Sequence, residues 1–81
     1  MIAVDTNILV YADREELLLH KAALARLKSL AQGHALWAIP LFCIGEFVRV
    51  VSHPRLFAPP TPACAAIASI DHLLESPSVR V

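Results

Sequence analysis

MIAVDTNILVY, residues Met1 to Tyr11, sets Asp5-Thr6-Asn7 directly behind the apolar run Ile2-Ala3-Val4. That run reads as a short strand covered on both faces, and Ile8-Leu9-Val10 restores apolar character at once. In an open parallel sheet, ligands collect just beyond the carboxyl ends of strands. Asp5 is therefore a candidate metal ligand or charge centre. Thr6 or Asn7 can cap a helical turn reaching about Tyr11, since either side chain accepts a hydrogen bond from a free backbone N–H.

Working outward, Asp13 with Glu15 and Glu16 reads as the start of a second helix, where carboxylates suit the positive end of the helix dipole. Leu17, Leu24, Leu27 and Ala31 recur at helical spacing with Leu30 beside them, and Gly33 is the expected left-handed terminator. Ala35 to Ile39 is a second buried strand. Pro40 suits the first turn of a helix spanning Leu41 to Val51, which stops at Ser52-His53-Pro54. Thr61-Pro62 opens a last helix ending near Glu75, with Ile67, Ile70 and Leu74 on one face. Val79-Arg80-Val81 reads as a third strand just beginning. Strands alternating with helices predict an α/β fold with a parallel sheet. With no repeat and no linker, residues 1–81 read as one domain.

Of the 81 residues, 57% are apolar and 17% charged, with a net charge of zero. So much apolar surface on so short a chain predicts packing against something else, or the front part of a longer domain. Neutrality supplies no overall field toward nucleic acid or membrane, so any such contact comes from a local site. Cys43 and Cys64 lack metal-like spacing and sit in apolar segments, which predicts buried free thiols in a reducing compartment. Without a signal-peptide pattern or a bilayer-length apolar stretch, the expected location is cytoplasmic and away from membranes.

Seven carboxylates are available. Asp13, Glu15 and Glu16 read as helix-start charges, and Asp71 and Glu75 as a solvated face. Glu46 differs, because it stands in the apolar segment Phe42-Cys43-Ile44-Gly45-Glu46-Phe47-Val48. A carboxylate there is costly unless it is paired, with Arg49 at i+3, or bound to metal. Asp5, alone, reads as a helix cap. Together, Asp5 and Glu46 each follow a strand, and right-handed crossovers bring both to one edge of the sheet. Oxygen-only ligands of this kind suit Mg²⁺ or Mn²⁺ rather than zinc. The four histidines show no zinc spacing. His53 and Arg55 could touch phosphates but read first as caps or exposed polar groups. Two glycines cannot make a phosphate loop, and Met1, Trp37 and the phenylalanines read as core.

The opening Ile2-Ala3-Val4-Asp5-Thr6-Asn7-Ile8-Leu9-Val10-Tyr11, with Gly45 to Phe57 (GEFVRVVSHPRLF) at matching spacing, resembles the PIN-domain nucleases, specifically the VapC toxins of toxin–antitoxin pairs. The resemblance covers essentially the whole chain. It implies a three-layer α/β/α PIN-like fold, of which residues 1–81 would be the N-terminal part, with about three strands and four to five helices. It implies a Mg²⁺- or Mn²⁺-dependent endoribonuclease, in which metal polarises the scissile phosphate and activates a water. Asp5 and Glu46 would be the catalytic, metal-holding acids, with Thr6 and Asn7 orienting them. Arg49, His53 and Arg55 would face the RNA.

The partners implied are an RNA substrate and a cognate antitoxin. Family members add further acids after the third strand, and no residue here substitutes for them. The family's strand order, 3-2-1-4-5, would leave strand 1 as an open edge, which predicts a dimer or larger assembly, or a truncated product held by a partner. The competing expectation is a catalytically inactive PIN-like binding or assembly module. A response-type phosphoacceptor reading of Asp5 is weaker, since Lys21 and Lys28 lie on the wrong helix.

Overall fold

The three strands are only two residues long, and the rest of the fold exists to hold them side by side. A computed structural model describes residues 1–81. Its elements run β1 (Ile2–Ala3), α1 (Thr6–Asp13), α2 (His20–Gln32), β2 (Trp37–Ala38), α3 (Leu41–Val51), α4 (Ala63–Leu74) and β3 (Val79–Arg80). The sheet is parallel in the order β1-β2-β3, pairing Ile2 with Trp37 and Trp37 with Val79. Ladder bonds continue past the strand ends: Val4 N–H donates to the Ala38 carbonyl at 3.0 Å, and Ile39 N–H to that of Arg80 at 2.9 Å. These are four helices and three parallel strands, an α/β fold of PIN-like form with β1 as an unpaired edge.

Side chains alternate across the sheet. Trp37, Ile39, Val4 and Val79 turn into a core shared with Leu9, Leu27, Phe47, Val51 and Ile70 of the helices. Trp37, Phe47, Ile39 and Val51 are fully buried, each burial contributing about 1.5–3 kcal/mol. The Trp37 Nε1–H has no partner there. The opposite row, Ala3–Ala38–Arg80, is exposed at both ends and half-buried in the middle. Strand β1 is thus not covered on both faces, since Ile2 and Ala3 are exposed.

The link between α1 and α2 departs from the sequence reading. Asp13 ends a helix rather than starting one, and α2 begins only at His20. The cause is Arg14, which is 8% exposed. Its Nε and Nη2 donate to Glu16 Oε2 at 3.0 and 2.6 Å. Its Nη1 donates to Thr61 Oγ1 at 3.0 Å, and its guanidinium stacks 4.5 Å from the centre of the Phe57 ring. The Thr61 hydroxyl in turn donates to Asp13 Oδ2 at 2.7 Å. Turning the guanidinium inward takes the chain out of helix at Arg14, whose φ and ψ are −103° and 102°.

Helix α2 does not end in a left-handed glycine. Gly33 is extended, at φ −83° and ψ 175°. The open carbonyls of the last turn are met by side chains instead, Ser76 Oγ donating to Ala31 at 2.8 Å and Ser78 Oγ to Leu30 at 3.3 Å. Helix α3 has the bounds its sequence predicts. Helix α4 buries Ala66 and Ile70, whereas Ile67 and Leu74 are exposed. Thr61 caps no helix, its hydroxyl being held by Asp13 and Arg14. Cys43 is buried but Cys64 is exposed, so only one thiol belongs to the core.

Candidate metal-binding edge

Strands β1 and β2 are parallel neighbours, so the segments that leave them emerge at the same edge of the sheet. Helices α1 and α3 both begin at that edge and pack against each other. Two helix N-termini side by side make the edge favourable for negative charge.

Asp5 is the N-cap of α1, as its reading as a helix cap anticipates and in place of Thr6 or Asn7. Its Oδ1 accepts from Ile8 N–H at 3.1 Å, and it is exposed. The cap uses one carboxylate oxygen and leaves Oδ2 without a protein partner. Thr6, next in the chain, is buried, while Asn7 is exposed.

Glu46 lies in the second turn of α3. The apolar neighbours that suggested burial, Cys43 and Phe47, point into the core, and Glu46 faces solvent. The expected pairing with Arg49 does not form; the ion pairs of the chain are Arg14–Glu16 and His72–Glu75. Glu46 and Arg49 are thus an unpaired acid and an unpaired base on the exposed face of one helix. At the far end of α3, His53 Nδ1 accepts from Arg55 N–H at 3.1 Å, so His53 caps its own turn while Arg55 is exposed.

No three His, Cys, Asp or Glu side chains converge on a common point. The donors at the edge are two carboxylates, and they suit a hard divalent cation in kind. Magnesium commonly takes one or two protein carboxylates and completes its shell with waters and substrate phosphate oxygens. A groove of about 680 Å³, lined chiefly by α2 and α4, is mainly apolar and includes neither Asp5 nor Glu46.

The phenylalanines, read from sequence as a group, divide. Phe47 is buried and Phe57 half-buried against Arg14, but Phe42 is 74% exposed. Met1 is exposed as well. The signal for Phe42 was its spacing, four residues before Glu46 and seven before Arg49, which sets it on their side of the helix rather than that of Phe47.

No family model matches the chain. Comparison with curated proteins does find relatives. Over 78 residues, 96% of its length, the chain is 36% identical to VapC ribonuclease Mb2897 of Mycobacterium bovis and to Ribonuclease VapC43 of Mycobacterium tuberculosis. Over almost its whole length, then, the chain is similar to VapC ribonucleases. It spans about half the length of those VapC proteins, the match covering 53% of each. Only three of the 81 residues lie outside the match. No helix is long and apolar enough to cross a membrane.

Proposed function

We propose that this chain contributes to a VapC-type toxin that hydrolyses RNA phosphodiester bonds with Mg²⁺ or Mn²⁺. The observation that carries the proposal is the shared edge, where capping Asp5 and unpaired Glu46 follow adjacent parallel strands in a relative of named VapC ribonucleases.

The proposed roles follow from the free atoms. Asp5 would hold the cation through the carboxylate whose Oδ1 accepts from Ile8 N–H, a bond that orients the side chain on its own helix. Glu46, free of Arg49, would either help to hold that ion or serve as the base that accepts a proton from water. The bound cation would supply Lewis-acid polarisation of the phosphate and lower the pKa of water. Thr6 and Asn7 set the entry into α1 and so the aim of Asp5. Arg49 and Arg55, both exposed, neutralise phosphates, with His53 shaping the turn that carries Arg55. The setting proposed with this activity is the cytoplasm, with an antitoxin protein as regulator and association of copies through the β1 edge.

The test is RNA cleavage by the chain with Mg²⁺, with Mn²⁺ and with EDTA. Cleavage is expected to need the metal and to be lost in Asp5→Asn and Glu46→Gln. Equal cleavage by the parent and Asp5→Asn defeats the assignment. RNA or antitoxin binding without any cleavage favours the inactive binding module instead.

A further inference from the structure

Helix α3 turns Phe42, Gly45, Glu46 and Arg49 to solvent, all four exposed. At i, i+3, i+4 and i+7 they share one face. Two of them are unexplained by the fold. Phe42 leaves a large aromatic ring in water, 74% exposed, in the helix turn nearest the sheet edge. Gly45 interrupts the middle of an eleven-residue helix. Its φ is not positive, and a Cβ built on it would meet nothing within 4 Å. Neither backbone conformation nor packing within the chain calls for glycine, which is less stable than alanine in an exposed helix interior. A bare backbone does permit close approach by something outside the chain. Beside it, Arg49 is a guanidinium with no carboxylate partner.

We infer that this face is the strip on which single-stranded RNA lies across the acidic edge. A nucleobase stacks on Phe42, the sugar–phosphate chain crosses Gly45, and Arg49 holds a phosphate. The inference rests on the RNA reading above and specifies how the strand is held. An exposed aromatic beside a free cation is the recognition chemistry of unpaired strands, whose bases have open π-faces. Duplex bases are already stacked and offer Phe42 nothing. Phe42 and Arg49 stand about 10 Å apart along the helix axis, with Glu46 between them, so a strand spanning them passes the carboxylate. An apolar surface of a second copy would fit the strip poorly, because Glu46 and Arg49 would both be buried without partners.

Binding of a short fluorescein-labelled single-stranded RNA to the 81-residue chain, followed by anisotropy in EDTA, separates binding from cleavage. Phe42→Leu is expected to weaken binding about tenfold and Phe42→Trp to retain it. An abasic strand is expected to bind the parent and Phe42→Leu equally. Gly45→Ala has a distinctive signature: Tm rises by roughly 5 °C while RNA affinity falls several-fold. A structural role for the glycine cannot move those two readings in opposite directions.

Parent-like RNA affinity in both Phe42→Leu and Gly45→Ala overturns the inference. So does a Phe42→Leu chain whose sedimentation mass falls while its RNA affinity stays unchanged, because the face then joins copies. Phe42-dependent binding without cleavage by the parent leaves the strip standing and removes the hydrolysis reading. Metal-dependent cleavage with binding indifferent to Phe42 does the reverse.

Discussion

Arg14 and Thr61 are joined by a 3.0 Å hydrogen bond that ties the end of α1 to the segment leading into α4. Arg14 is buried, engages Glu16 and lies over Phe57, so one side chain fastens the link between α1 and α2 to the segment between α3 and α4. Hydrogen bonds to charged groups contribute more than neutral ones. Arg14→Ala is expected to lower stability by about 2–3 kcal/mol in urea unfolding. Arg14→Lys should recover little of it, because an ammonium cannot reproduce the planar fork. An unchanged midpoint in Arg14→Ala would show that the clamp is decorative.

The same pair predicts a pH effect. The hydrogen bonds from Arg14 hold the Glu16 carboxyl below the usual carboxylate range. A depressed pKa in the folded chain means stability that is present above the ordinary carboxylate value and lost as pH falls through the lower, folded one. Glu16 is exposed, so solvent screens the effect and keeps it small. NMR titration should find the Glu16 midpoint depressed in the parent and restored in Arg14→Ala. A midpoint indifferent to Arg14 would remove the cause assigned.

Ser76 and Ser78 close the end of α2 from the far side of the sequence. Replacing either with alanine should cost about 1 kcal/mol, read as a shift in denaturation midpoint. Their hydroxyls also lie 3.1 Å apart, so the double variant should lose less than the sum of the singles. Strict additivity would mean that the two caps act independently.

Asp5 and Glu46 should separate stability from activity. Asparagine caps a helix about as well as aspartate, so Asp5→Asn should keep the fold, whereas Asp5→Ala should lose about 1 kcal/mol. Glu46 is exposed and unpaired, so Glu46→Gln should change stability by less than about 0.5 kcal/mol. If cleavage by either amide variant fell only as far as its stability, these acids would be structural.

Local signals in the sequence predict local structure well here. Helix α3 runs from Leu41 to Val51 as its proline-bounded apolar pattern requires, and the three strands lie at the three predicted apolar runs. The shared edge of Asp5 and Glu46 follows from strand alternation and crossover handedness alone. What escaped was set by distant partners. The charges around Asp13 resemble a helix start, but the chain turns there because Arg14 reaches Phe57 and Thr61. Gly33 has the composition of a helix terminator, yet serines from the β3 turn satisfy the carbonyls. Glu46 reads as buried from its apolar sequence neighbours, but on the helix Cys43 and Phe47 take the core side and Glu46 the solvent side.

Strands of two residues have a kinetic consequence. Each pairing contributes only a few ladder bonds, while its partners are separated by a whole helical segment whose closure costs chain entropy before any bond forms. On this ground the sheet is expected to form after α1 has met α2 and α3 has met α4. By the same logic it opens first, and the amides of Val4 and Ile39 should exchange with solvent ahead of those in the middle of α3.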